Sequence, residues 1–349
     1  MKESPLLTFV VMAYNQEKFI RDAVNGALSQ TYSPLEILLS DDCSPDNTFD
    51  IMQKMASNYR GPHRIVLNRN TANLGPGGHF NRIVDLASGE LVVYSEGDDI
   101  SLPERTKIVY EAWESSGQAV SAIYSDYILI DKSGVQRDFK GQQNPKTHLS
   151  PEILRGDLRE FLTTWSPMIC GCTMAWSKSI FREFGHVPAD LRYVDLILSF
   201  RSLGSNGILH IHSPLIKYRR HDNNFSYHNC DDVLDQKTLE AYDAKQKIAL
   251  QGFAAAYEVM IHDIDTLRRI GGHDRQYLGK LEHEARRVQL LYLFERQMIS
   301  DPFPSRLSAL RKILAHGGVG TALKWTPQLL SRRAYHKARS IKKLFLPYL

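Results

Sequence analysis

At 349 residues the chain is long enough for about two domains. Its 43% hydrophobic and 23% charged content excludes a disordered, collagen-like or purely coiled-coil chain. The net charge of +4 is unevenly spread: residues 302–349 hold ten Lys and Arg and no acid, leaving 33 basic against 39 acidic residues, a net −6, in positions 1–301.

A mildly acidic body with a basic tail predicts an anionic partner for the tail, either a membrane surface or a nucleic acid. No run approaches the ~20 apolar residues of a spanning helix. The N-terminal apolar run breaks at Asn15, so neither a signal peptide nor an anchor is expected. Cys43, Cys170, Cys172 and Cys230 are too few and too scattered for a disulfide framework, and the Cys-x-Cys pair has no second pair to complete a zinc site. They are expected to be reduced thiols in a cytosolic protein.

Thr8–Met12 is a nearly unbroken apolar run, the mark of a strand buried on both faces, and it ends at Tyr14-Asn15. Phe19, Ile20, Ala23, Val24, Ala27 and Leu28 then recur at helical spacing. Leu35–Leu39 reads as a second strand, and Asp46 or Asn47 can cap a helix with Phe49, Ile51, Met52 and Met55 on its face. Arg64–Leu67 reads as a third strand, residues 78–87 as a third helix and Leu91–Tyr94 as a fourth strand. Successive strand-helix crossovers predict an α/β fold built on a mainly parallel sheet with helices on both faces.

In such a sheet ligands bind beyond the C-terminal ends of the strands. The candidates are therefore Ala13, Tyr14 and Asn15 after strand one, Asp41 and Asp42 after strand two, and Glu96, Asp98 and Asp99 after strand four. Three acids in four positions repel one another unless a cation offsets them, and hard oxygen donors suit Mg²⁺ or Mn²⁺. A solvated acidic turn capping the next helix is the alternative. The glycine stretch Asn73–Gly78 is not a dinucleotide fingerprint, because it follows the third strand and has Phe80 in the third glycine's place. A phosphate-binding Gly-Lys-Ser or Gly-Lys-Thr is also absent. The glycines either let a backbone approach a ligand or form a plain turn before a helix.

These residues resemble the family 2 glycosyltransferases with the GT-A fold. Thr8–Asn15 is similar to that family's opening strand, and Ser40-Asp41-Asp42-Cys43-Ser44-Pro45-Asp46-Asn47-Thr48 to its Asp-Asp-x-Ser-x-Asp-x-Thr segment. Asn73-Leu74-Gly75, Ser88-Gly89-Glu90 and Glu96-Gly97-Asp98-Asp99 follow in the family's order. Asp195-Leu196 with Arg201, and Tyr218-Arg219-Arg220-His221, resemble its acceptor-side and closing segments. The resemblance runs over about residues 6–227.

The resemblance implies inverting transfer of a sugar from a nucleotide diphosphate sugar, most often of uridine, to an acceptor hydroxyl, in bacterial cell-surface polysaccharide synthesis. It implies that Asp42 bonds the base, with Ala13 and Tyr14 beside it and Tyr14 stacking. Asp98 would reach the ribose, and Asp98, Asp99 and His221 would hold the metal. Glu96 stands where the family usually has Asp, which leaves its ligation open. Asp195 is the candidate base, although Val194 replaces the usual preceding acid, and Asp190 is the fallback. Trp165–Thr173 would line the acceptor side. A sugar nucleotidyltransferase and a non-catalytic nucleotide-binding or scaffold protein are the alternatives. The first lacks a Gly-rich Arg-Lys loop after strand one, and the second is motivated by Glu96 and Val194.

Beyond the sheet, Leu234, Leu239, Ile248, Phe253, Tyr257, Ile261 and Leu267 punctuate a proline-free stretch to Ile270, Gly271-Gly272 breaks it, and residues 275–299 are again helical in pattern. The expected divisions are a sugar-transfer domain over 1–230, a helical hairpin over 231–300 and a basic amphipathic tail over 301–349. In the tail Leu330, Ala334, Ala338, Ile341 and Phe345 fall on one helical side and Arg332, Arg339, Lys342 and Lys343 on the other, with Lys337 at the edge. This predicts docking on an anionic membrane surface, peripherally at the inner face, where a glycan or lipid-linked acceptor would be found. Packing on the hairpin or in a homo-oligomer is the alternative. Nucleic acid is not expected, since Trp325, Tyr335 and Tyr348 are too dispersed for a stacking platform.

Overall fold

The computed structural model describes residues 4–137, 151–164, 170–221, 224, 236–300 and 307–316. The chain divides into two compact units, Met1–His221 and Asp222–Leu349.

In the first unit β1 (Leu7–Ala13), α1 (Ile20–Leu28), β2 (Leu35–Asp41), α2 (Thr48–Asn58), β3 (Arg64–Arg69), α3 (Gly75–Leu86) and β4 (Leu91–Glu96) alternate as expected. Their strands are all parallel, in the order β3-β2-β1-β4. Phe9, Val11, Ile37, Leu39 and Val93 meet Ile20, Ala23, Val24 and Ala27 of α1 in the main core. Of the expected α2 face, Met52 is fully buried and Ile51 and Met55 pack partly against the same core. Phe49 instead lies under the guanidinium of Arg69, 5.1 Å away. Asn47 occupies the N-cap position of α2 without a side-chain cap, while Asp46 accepts the Thr48 backbone N–H at 3.0 Å.

After β4 come β5 (Ile100–Ser101), α4 (Arg105–Ser115), β6 (Ala122–Ile130), β7 (Glu152–Leu154) and α5 (Leu158–Thr164). A short 3₁₀ turn (Gly171–Thr173) leads into β8 (Met174–Ser177), α6 (Ser179–Phe184), α7 (Val194–Gly204) and β9 (Ile208–Arg219). The sheet is therefore mixed on this side. β8 runs antiparallel to both β4 and β6, β9 is parallel to β6, and β5 and β7 are antiparallel to β9.

The segment Ser88-Gly89-Glu90 is a structural knot. Buried Glu36 accepts from Thr8 Oγ1 (2.9 Å), Ser88 N (2.8 Å) and Ser88 Oγ (2.8 Å), and Gly89 N donates to Thr8 Oγ1 at 2.8 Å. A β-carbon on Gly89 would stand 2.5 Å from Thr8 N, so glycine is required for β4 to enter beside β1.

In the second unit α8 (Gln236–Ile270) and α9 (Arg275–Ser300) flank Gly271 and Gly272, both at positive φ. Tyr257, Met260, Ile264 and Leu267 of α8 and Leu278, Leu281 and Ala285 of α9 are buried. Ile248, one of the apolar residues that punctuate this stretch, is 50% exposed. Residues 307–316 are helical, and their Ala309 and Ile313 join Leu250, Phe294 and Ile299 in one apolar cluster. The start of the basic segment thus packs by an apolar face, with Lys312 Nζ over the Phe294 ring at 5.4 Å. The amphipathic stretch from Leu330 to Phe345 lies outside the described residues. Among the described residues no helix is long and apolar enough to cross a membrane.

Candidate active site

The loops after β1 and β2 are bound to each other. Asn15 N donates to Ser44 Oγ (2.9 Å), Gln16 N to Thr48 Oγ1 (2.8 Å) and Glu17 N to Asp46 Oδ2 (3.0 Å). Asn15 and Cys43 adopt positive φ angles of 56° and 60°, tight local geometry that these bonds hold in place. Asp42, buried, accepts from Asn70 Nδ2 (2.7 Å), Leu74 N (2.9 Å) and Gly75 N (3.0 Å). It therefore anchors the Asn73–Gly75 turn, a role that sequence reasoning missed. Ala13 is buried and its carbonyl accepts Asp42 N–H at 3.0 Å, whereas the Tyr14 ring is 47% exposed beside them. Gly77 packs against protein: a β-carbon there would lie 2.4 Å from the Pro188 carbonyl oxygen.

At the end of β4, carboxylate oxygens of Glu96, Asp98 and Asp99 lie within 4.8 Å of one another. Asp98 and Asp99 are buried and Glu96 is partly so. The end of β9 and the residues just after it supply the partners. Arg219 N donates to Asp99 Oδ1 at 2.8 Å, its Nε to the Asp98 carbonyl at 2.8 Å, and its guanidinium also pairs with Asp22 at 2.8 Å. His221 Nε2 stands 2.9 Å from Asp98 Oδ2, its ring stacked on Phe19 at 4.5 Å. The other Asp99 oxygen, Oδ2, is buried and takes no hydrogen bond from nitrogen or oxygen. Burial, then the neighbouring Asp98 and Asp99, push the Glu96 carboxyl well above its ordinary range, and burial with Asp98 does the same to Asp99. Acids so placed fit a divalent cation, which would offset that repulsion and engage Asp99 Oδ2.

Asp195 opens α7 and faces this cluster. A β-carbon on Gly171 would lie 3.6 Å from both Asp195 Oδ2 and Glu96 Oε1, so the two carboxylates flank one point in the 3₁₀ turn. Asp195 accepts the Leu196 N–H at 2.9 Å, and burial raises its pKa. Arg201 is buried, donates to the Gly185 carbonyl and lies over the Phe184 ring. Asp190 is exposed in the turn before α7. Cys170 and Cys172 are free thiols with their Sγ atoms 3.4 Å apart. Residues 165–169 and Cys230 lie outside the described residues.

Arg105 is a second residue that the sequence reading missed. Fully buried, it donates to Ser101 Oγ (2.8 Å), to the Tyr94 and Cys172 carbonyls (2.7 and 2.8 Å) and to the Met174 carbonyl (3.3 Å). It therefore ties β4, β5, the 3₁₀ turn and β8 together behind the acids. Its local sequence, an Arg opening a helix, carries no sign of this.

Residues 8–185, about half of the chain, match the sequence model of glycosyl transferase family 2. The chain belongs to that family. A relative from Escherichia coli, UDP-Glc:alpha-D-GlcNAc-diphosphoundecaprenol beta-1,3-glucosyltransferase WfaP, is 32% identical over 190 residues, covering 54% of this chain and 66% of its own. The chain spans 42% to 65% of the length of three further curated relatives. Staphylococcus aureus TarS residues 1–349 share the fold at a TM-score of 0.57 and 16% identity, over 97% of this chain and 92% of that one. The Pyrobaculum calidifontis mannosyltransferase PcManGT, solved with GDP-Man and Mn²⁺, aligns at 0.52 and 16% over 98% and 88%. The expected GT-A architecture is thus the one observed.

Proposed function

We propose that this protein transfers a sugar from a nucleoside diphosphate sugar, of uridine by preference, to an acceptor hydroxyl with inversion, in cell-surface polysaccharide synthesis. The observation that carries the reading is Asp195 facing Glu96 across Gly171, beside Asp98 and Asp99. Three protein donors occupy Asp42, which leaves about one of its roughly four acceptor positions for the imide N–H of uracil. The exposed Tyr14 ring offers the base a stacking face.

Asp98 would reach the ribose and, with Asp99, hold Mg²⁺ or Mn²⁺. His221, which already meets Asp98, and Glu96 complete the candidate ligands. A bound divalent ion supplies positive charge to the departing diphosphate. Asp195, made more basic by burial, takes the acceptor hydroxyl proton as that oxygen bonds to the anomeric carbon. The bond from carbon to the diphosphate oxygen breaks in the same displacement, its electron pair leaving with the diphosphate, so the configuration inverts. Calorimetry of uridine diphosphate is expected to show affinity at least about tenfold higher in Mn²⁺ than in EDTA, a difference of about 1.4 kcal/mol. Equal affinities would remove the metal from the proposal.

The name of the Escherichia coli relative supports a lipid-linked acceptor. The ten basic residues of 302–349 would then hold the protein on an anionic inner leaflet, at ~1 kcal/mol for each one near the surface. Flotation with anionic vesicles is expected to recover the full chain and to fail in high salt. Equal recovery with neutral vesicles would count against the electrostatic contribution.

A further inference from the structure

A second cluster of donors lies on β6, β7 and β9, and it shares no residue with the candidate active site. We propose that Asp126, His210 and His212, with Glu152 as a fourth donor, hold a divalent transition-metal ion of the zinc class.

Strand register brings these side chains to one face. Residues directly opposite across a ladder share a face, as do residues two apart along a strand. Tyr124 pairs with His210 on one side of β9, and Glu152 pairs with His210 on the other. Asp126, two residues after Tyr124, and His212, two after His210, extend the same stripe. A regular ladder would set Asp126 opposite His212. Instead the register shifts around Asp126, which pairs with Pro214, so His212 falls within a bulge. Bulges re-aim side chains and recur beside sites.

The distances suit one ion. Donor atoms of Asp126, His210 and His212 all lie within 4.8 Å of one another. His210 Nε2 is 2.9 Å from Asp126 Oδ1, and His212 Nε2 is 3.7 Å from Glu152 Oε2. Ligands at ~2.0–2.2 Å from a four-coordinate zinc stand about 3–4 Å apart, so small side-chain adjustments complete the shell. The Tyr124 ring stacks on His210 at 4.2 Å and 7°, which fixes the imidazole plane. His210, His212 and Asp126 side chains are 16%, 11% and 23% exposed, sheltered yet reachable, while Glu152 at 64% can close over the ion from the rim.

Donor chemistry separates the two sites. Glu96, Asp98 and Asp99 present oxygen alone, which suits Mg²⁺ or Mn²⁺, whereas two imidazoles with carboxylates favour Zn²⁺, Co²⁺ or Ni²⁺. An ion here would cross-link β6, β7 and β9 and stabilise the sheet in proportion to its occupancy.

The test uses Co²⁺ as a spectroscopic stand-in for Zn²⁺, with the full chain and excess Mg²⁺ to occupy the oxygen site. Wild-type protein is expected to give the visible absorption of a four-coordinate, nitrogen-ligated Co²⁺, to lose it on adding Zn²⁺, and to melt at a higher temperature with Zn²⁺. His212→Gln and Asp126→Asn are expected to weaken Co²⁺ binding by about 10²-fold or more, at or beyond the scale seen for outer partners alone. Glu152→Gln, at an exposed position, gives a smaller loss without threatening the fold. Asp99→Asn is expected to leave the Co²⁺ spectrum unchanged. Absence of the absorption in folded wild-type protein would overturn the proposal, as would its loss in Asp99→Asn or its persistence at full affinity in folded His212→Gln. The wild-type measurement stands even if a variant fails to fold.

Discussion

Asp195→Asn is expected to slow sugar transfer by about 10²- to 10⁴-fold, the range of a positioned general base, with uridine diphosphate affinity unchanged. The substitution keeps the bond from Leu196 N–H, because an amide oxygen accepts as a carboxylate does. What it removes is the proton acceptor facing Glu96 across Gly171. The pH profile makes the prediction specific. A base must be deprotonated to act, and burial raises the Asp195 pKa, so wild-type activity is expected to fall on acidification at a pH above the ordinary carboxylate range. The part of that limb due to Asp195 should disappear in the residual activity of the Asn variant, leaving only the part set by Glu96 and Asp99. Turnover within about threefold of wild type would place the base elsewhere; Asp190 is the next residue to test.

Arg105→Ala is expected to destabilise the first unit by about 3–5 kcal/mol, the scale for leaving two or three buried neutral acceptors unpaired. Burial lowers the Arg105 pKa to about 10, so it stays cationic at neutral pH. Its loss leaves the Tyr94 and Cys172 carbonyls without these donors, and each unpaired buried acceptor costs about 1–3 kcal/mol. A large fraction of a typical domain's 5–15 kcal/mol would be lost. Because Tyr94 precedes the acids and Cys172 lies in the turn beneath Asp195, residual folded protein should also transfer sugar poorly. Denaturant unfolding checks the first part: a midpoint shift equivalent to less than about 1 kcal/mol would mean that water replaces the guanidinium.

The alternation of apolar runs and helical faces from Thr8 to Tyr94 determined the parallel half of the sheet, because its inner strands β1, β2 and β4 are buried on both faces and are therefore mostly apolar. The C-terminal ends of the same strands single out Asp42, Glu96, Asp98 and Asp99. The rest required tertiary structure. Ser88-Gly89-Glu90 is a recognisable segment, yet only the fold shows it closing on Glu36 and Thr8 at the sheet's N-terminal edge. Asp42 reads as a free site carboxylate, but Asn70, Leu74 and Gly75 already bind it. Arg105 looks like a surface charge in sequence, since nothing local distinguishes an arginine bound for water from one buried on distant carbonyls. Antiparallel β8 and the β6–β9 bulge were equally hidden. Pairing over many tens of residues depends on which edges the core leaves open, and a period-two pattern carries no information about its partner. Local periodicity therefore determined the elements and the ends at which the site lies. Long-range burial decided which charges stayed available for chemistry and which were spent holding the site together.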